Sequence, residues 1–151
     1  MTVRLHHTGI STPDLDRLVS FYCDLLGFNE VARSEWEPGF TPADDVLGLE
    51  DSAAEMVLLG LADTYLEVFE FRNPLPEPPK VERPVSEVGI NHICVAVADV
   101  ASEYQRLSAA GMRFHSPPRD IGDGPFVYGR DPDGNIVELW QFDGEAQPLP
   151  D

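Results

Sequence analysis

Basic residues are scarce in this 151-residue sequence: Lys and Arg number 10 together, against 27 Asp and Glu, and only Lys80 is a lysine. The formal charge of −17 repels phosphate backbones and anionic headgroups, which excludes nucleic acid and membrane surfaces as partners. Cysteine is scarce too. Cys23 lies in an apolar helical pattern and Cys94 in an apolar strand pattern, and they share no spaced motif. Both read as reduced core thiols, and a disulfide scaffold is excluded. No hydrophobic run approaches a membrane span, the longest being Met56 to Ala62. The opening stretch Met1 to His7 lacks an apolar core, so no signal peptide is expected and the protein is placed in the cytoplasm. Low-complexity sequence is absent as well. With 42% hydrophobic and 25% charged residues, the composition is that of a globular chain long enough to bury its own core.

Proline is concentrated in one place. Asn73 to Pro84 holds five of the fourteen prolines and reads as a stiff, extended connector. It divides the chain into two halves that resemble each other. His7 precedes Asp14 by seven residues, and His92 precedes Asp99 by seven. After each Asp comes a helical pattern: Leu15, Leu18, Val19, Tyr22 and Leu26, then Val100, Tyr104, Leu107 and Ala110. Asp14 and Asp99 fit as N-caps, and Gly27 and Gly111 end the helices, 13 and 12 residues after the Asp.

Strand patterns follow each helix. They are Phe28–Val31, Glu55–Leu61 and Tyr65–Phe71 in the first half, and Met112–His115, Phe126–Arg130 and Ile136–Phe142 in the second. Turn chemistry separates the last two strands of each half, at Leu61-Ala62-Asp63-Thr64 and at Asp131-Pro132-Asp133-Gly134-Asn135. Each half therefore reads β-α-β-β-β. Between Ser34 and Ser52 lies an insertion with Trp36 and Phe40, read either as a surface loop or as a lid over a pocket.

The first strand of each half carries a His and the last a Glu, in the similar settings Tyr65-Leu66-Glu67-Val68-Phe69 and Ile136-Val137-Glu138-Leu139-Trp140. A carboxylate flanked by apolar residues in a strand needs a partner. Alternation puts Tyr65 and Phe69 on the face of Glu67, Ile136 and Trp140 on that of Glu138, and Cys94 on that of His92. Two imidazoles and two carboxylates are a donor set for one divalent ion: Zn, Ni, Co, Mn or Fe. Spacing alone does not show that the four converge.

These residues resemble a known family. Asp131-Pro132-Asp133-Gly134-Asn135-Ile136-Val137-Glu138-Leu139 is similar to the closing hairpin of the vicinal oxygen chelate superfamily. That superfamily includes glyoxalase I, methylmalonyl-CoA epimerase, extradiol dioxygenases and the bleomycin- and fosfomycin-resistance proteins. Phe21-Tyr22-Cys23-Asp24-Leu25-Leu26-Gly27-Phe28 resembles its helix-end signature, and Asn91-His92-Ile93-Cys94-Val95 the opening of its second module. The likeness runs from Leu5 to Phe142. It implies an α+β fold in which paired βαβββ modules form a cupped, barrel-like mixed sheet with flanking helices. The expected organisation is one domain of two modules, about 1–73 and 88–143, joined by a Pro-rich linker at 74–87.

By that resemblance the metal ligands are His7, Glu67, His92 and Glu138, and Glu67 and Glu138 are also the catalytic acid and base. All four are ligating residues, the pattern of the glyoxalase and epimerase branches, which move a proton beside a carbonyl. The implied activity is a divalent-metal-dependent isomerase, epimerase or lyase acting on a small carbonyl or diol compound, with a homodimer as the assembly. An Fe(II) dioxygenase and a non-catalytic binder of an antibiotic or aromatic molecule are the alternatives. Two glutathione-contacting positions of bacterial glyoxalase I fall here on Ser11 and Phe71, which argues against a glutathione substrate. Trp36, Met56, Phe69, Phe126, Tyr128 and Trp140 are the expected pocket lining, with Arg119 to meet a substrate carboxylate. Glu55 is a further candidate base.

Overall fold

A computed structural model of the chain describes residues 3–77, 83–122 and 124–141. The chain divides into two compact units, Met1–Pro79 and Lys80–Asp151. Lys80 and Phe142 lie outside the described residues.

In the first unit the order is β1 (His7–Ser11), α1 (Leu15–Ser20), β2 (Asn29–Trp36), α2 (Thr41–Leu47), β3 (Ala53–Leu61) and β4 (Thr64–Asn73). The sheet order is β1-β4-β3-β2, with β1 parallel to β4 and the other pairs antiparallel. The second unit runs β5 (His92–Ala96), α3 (Val100–Ala109), β6 (Arg113–Phe114), β7 (Arg119–Asp120), β8 (Pro125–Arg130) and β9 (Ile136–Trp140). Its sheet order is β5-β9-β8-β6, and β7 also pairs with β8. The fold is thus α+β with two mixed sheets, and among the described residues neither sheet closes into a barrel.

Each sheet buries one face under its helix. Leu15, Leu18 and Tyr22 pack with Val57, Leu59, Leu66 and Val68 in the first unit. In the second, Val100 and Leu107 join Val127, Val137 and Leu139. This apolar layer leaves the opposite face of each sheet for polar chemistry.

The internal repeat extends to its hydrogen bonds. Asp14 accepts from the amide of Arg17, and Asp99 from those of Ala101 and Ser102. A second acceptor, three residues after each Glu, holds the first helical amide: Leu15 donates to Glu70 at 2.7 Å and Val100 to Gln141 at 3.0 Å. The chain leaving the first strand is tied in the same way in both units. Thr12 N–H donates to the Phe69 carbonyl and Val97 N–H to that of Trp140.

Three expectations need correction. The first helix is α-helical only over Leu15–Ser20 and then widens into a π-helical turn at Phe21–Leu25. The wider turn buries two adjacent aromatic residues, Phe21 and Tyr22, whose rings meet edge to face, before Gly27 exits with φ +77. The insertion after Ser34 is not an irregular loop: Ser34–Trp36 extend β2, and α2 follows. That helix is tied back to β3, because Ser52 N–H donates to Asp44 and Trp36 Nε1–H to Ser52 Oγ. Residues 78–82 of the Pro-rich connector lie outside the described residues, and beyond them Pro84 begins a turn closed by Glu87 N–H. Nor are both cysteines core thiols; Cys23 is half-buried and Cys94 exposed.

The turn before β9 explains its own sequence. Asp131 is buried, and its carboxylate accepts from the amides of Asp133 and Asn135 and from the Asn135 side chain. Gly134 supplies φ +90. This closes the hairpin and sets the register in which Glu138 lies opposite Tyr128.

Candidate metal and substrate site

Parallel pairing carries each His to its Glu. Gly9 pairs with Glu67 and Cys94 with Glu138, so His7 and His92, two residues earlier, share a face with those carboxylates. His7 Nε2 is 3.4 Å from Glu67 Oε2, and His92 Nε2 is 3.1 Å from Glu138 Oε2. The repeat therefore generates the same His–Glu pair twice, in the same register.

The two pairs differ in their surroundings. The Glu67 side chain keeps 24% of its exposure, whereas that of Glu138 keeps 8%. Cys94 and Tyr128 lie opposite Glu138 in the two neighbouring strands. Burial, then the Glu138 charge, pushes the Cys94 thiol up to about 12 and raises the Tyr128 phenol above its ordinary value. At the position facing Glu67, the first unit has Leu58.

The histidine nitrogens also have assigned roles. The Asn91 side-chain amide donates to the Val85 carbonyl at 3.3 Å, which turns its Oδ1 toward His92 Nδ1 at 2.6 Å. An acceptor at that distance requires Nδ1 to carry the proton. In the neutral ring, Nε2 then presents its lone pair to the Glu138 carboxylate, an arrangement that calls for a proton or a cation between them. His7 is held similarly: its Nδ1 lies 2.9 Å from His6 Nδ1, and the His6 ring stacks on Tyr65.

The donor set fits a divalent ion. Each unit offers one imidazole nitrogen and one carboxylate oxygen on a shared face, with the far ring nitrogen oriented by a neighbour. Among the described residues, no group of three or more His, Cys, Asp or Glu is set to hold a metal ion.

The expected lining residues group by unit. Trp36, Met56 and Phe69 lie on the Glu67 face; Trp36 contacts Phe69 and Phe71 edge to face, and Phe69 stacks on Phe71 at 5.7 Å. Phe126, Tyr128 and Trp140 lie on the Glu138 face, with Phe126 between the other two rings. Arg119 is exposed and pairs with Phe126, which places it on that face too. Glu55 does not belong to the site. It points to the helix-bearing side of the first sheet, where Arg33 binds it at 2.6 Å together with Glu30 and Asp16. Alternation from Glu67 and the hairpin register would have shown this. Asn91 had no signal beyond adjacency to His92.

The family follows from comparison. A model of the Glyoxalase/Bleomycin resistance protein/Dioxygenase superfamily matches residues 4–139, and the chain belongs to that superfamily. It is 33% identical over 150 residues to a 2-epi-5-epi-valiolone epimerase from Actinomyces sp., covering 91% of this chain and 78% of that protein. It is 29% identical over 140 residues to a probable lactoylglutathione lyase from Synechocystis sp., covering 91% and 94%. A crystal structure of a glyoxalase family protein from Bacillus cereus superposes with a TM-score of 0.85 at 21% identity, covering 95% and 97%. Its curated relatives thus include an epimerase and a lyase. Among the described residues, no helix is long and apolar enough to cross a membrane.

Proposed function

We propose that this protein is a divalent-metal-dependent isomerase, epimerase or lyase acting on a small carbonyl or diol compound, with His7, Glu67, His92 and Glu138 holding one ion. The observation that carries this reading is the duplicated His–Glu pair, above all His92, whose Nε2 lies 3.1 Å from Glu138 Oε2 while Asn91 Oδ1 holds its Nδ1 at 2.6 Å. A divalent ion bound there would polarise the substrate's oxygen and stabilise the negative charge that develops on it.

The chain's own residues supply the rest. Glu67 and Glu138 are the carboxylates through which the α-proton leaves and returns. Trp36, Met56, Phe69, Phe126, Tyr128 and Trp140 favour a largely apolar or aromatic body on the substrate and keep water from the proton as it moves. Phe71, stacked on Phe69, occupies a place where a glutathione-binding chain would carry a polar side chain. Arg119 gives the Glu138 face one cation for a substrate carboxylate. Two copies of the chain form the working assembly, and light scattering measures that directly.

Elemental analysis of protein dialysed without chelator tests the reading first. About one equivalent of Ni, Co, Zn or Mn per chain, lost in His92→Ala and Glu138→Ala, supports it. Solvent deuterium entering the α-position of a carbonyl substrate would then report the proton transfer. Iron with substrate-dependent O₂ uptake would replace it with the dioxygenase. Failure to take up any metal on titration would leave a small-molecule binder.

A further inference from the structure

Trp36 is held at both its ring and its backbone. The indole Nε1–H donates to Ser52 Oγ at 2.9 Å; Ser52 is fully buried, and its own amide donates to Asp44 of α2 at 2.8 Å. On the chain either side of Trp36, Arg72 bridges Glu35 at 3.2 Å and Glu37 at 3.0 Å. The insertion that carries α2 thus fixes the direction of one ring. That ring closes a corner. Trp36 and Phe71 flank Ala54 on its two neighbouring strands, and the single methyl of Ala54 lets the rings meet over it at 6.1 Å, nearly perpendicular. Phe69 lies nearly parallel to Phe71 at 5.7 Å and nearly perpendicular to Trp36 at 6.3 Å. Ala54 is fully buried beneath them, while all three rings stay half-buried and keep aromatic surface to offer. Phe69 follows Glu67 by two residues on the same face, a step of about 7 Å along the strand.

We infer that Trp36 is a specificity-determining residue: Ser52 and Asp44 position it, and the corner it makes with Phe69 and Phe71 takes a flat aryl group of the substrate. Aromatic surfaces at right angles meet a flat ring on its face and on its edge at once, which favours it over an alkyl chain. A fixed indole also has less freedom to lose when the substrate arrives. This rests on reading Glu67 as a ligand, which sets the substrate's oxygens beside the corner.

The test uses the full chain loaded with Zn(II) and two chelating probes, benzohydroxamate and acetohydroxamate, which differ only in phenyl against methyl. Wild-type protein should bind the phenyl probe at least about fivefold more tightly, from the extra apolar area it buries. Ser52→Ala should cut that ratio at least about threefold with Zn(II) uptake retained, because the indole loses its anchor. Its Trp36 indole ¹H–¹⁵N signal should also move. Trp36→Leu, which serves if Ser52→Ala fails to fold, should remove most of the ratio. Wild-type affinities for the two probes within about twofold of each other overturn the inference, as does a ratio unchanged in the folded variant. If wild-type protein takes up no Zn(II), the reading of Glu67 as a ligand fails, and metal-free protein decides the corner separately. Benzamide shifting the Trp36 indole signal where acetamide does not supports the corner; equal shifts, or none, overturn it.

Discussion

Removing the Asn91 side chain should disorder the proton on His92 while leaving the fold intact. In the native chain the Asn91 amide is anchored on the Val85 carbonyl, and its Oδ1 accepts from His92 Nδ1 at 2.6 Å. A neutral hydrogen bond of this kind contributes about 1 kcal/mol net, a roughly fivefold bias toward the Nδ1–H tautomer. The loss of ring orientation adds to this, so Asn91→Ala should weaken metal binding about tenfold, the lower end of what such supporting contacts are worth. Asn91 is exposed, so the melting temperature should hardly change. Asn91→Asp keeps an acceptor and should retain most of the affinity. Long-range proton–nitrogen correlation on ¹⁵N-labelled, metal-free protein at pH 8 reads the tautomer directly. Wild-type His92 should carry its proton on Nδ1, and Asn91→Ala should show a mixture. A wild-type ring protonated on Nε2 would refute the reasoning, because the lone pair would then point away from Glu138.

Other outcomes follow from the same structure. In metal-free protein, burial of the thiol and then the Glu138 charge push Cys94 up to about 12, so at pH 8 iodoacetamide should label it more slowly than an ordinary cysteine until the protein is unfolded. Hydrogen bonds from the Ser102 amide and hydroxyl, and then from the Ala101 amide, hold the Asp99 carboxyl below its ordinary value. That cap stabilises α3 fully above the ordinary carboxylate range and is lost as pH falls through the lowered value; Asp99→Asn should flatten this part of the acid-unfolding curve. Leu107→Ala empties a fully buried position and should cost about 3 kcal/mol in urea unfolding. A Cβ at Gly129 would meet Met112 Cε at 2.5 Å and the Phe114 ring at 2.8 Å, so Gly129→Ala should cost about 1–3 kcal/mol by the same assay.

The repeat was legible because its signals are local. A His seven before an Asp cap, an apolar helical stripe and a terminal Gly each act within one or two turns of chain, and Asp14 and Asp99 cap as their spacing predicts. Strand alternation likewise sorted Glu67 with Phe69, and Glu138 with Trp140. Less legible was anything set by length or by a partner distant in sequence. The π-helical turn at Phe21–Leu25 depends on burying two adjacent rings at once. The helix α2 depends on Asp44 and Trp36 reaching Ser52. Glu55 looked like a candidate base until Arg33, 22 residues away, was found to hold it on the other face of the sheet.

The site divides along the same line. Residue identity and a period of two are enough to show the two His and two Glu, their duplication and the strands that carry them. Tertiary structure alone decided that each His Nε2 lies within 3.4 Å of its Glu, because that distance depends on the parallel registers Gly9–Glu67 and Cys94–Glu138. It also decided that Asn91 Oδ1 lies against His92 Nδ1, and that Tyr128 rather than a leucine faces Glu138. Register joins residues more than forty positions apart, through hydrogen bonds that no local pattern encodes.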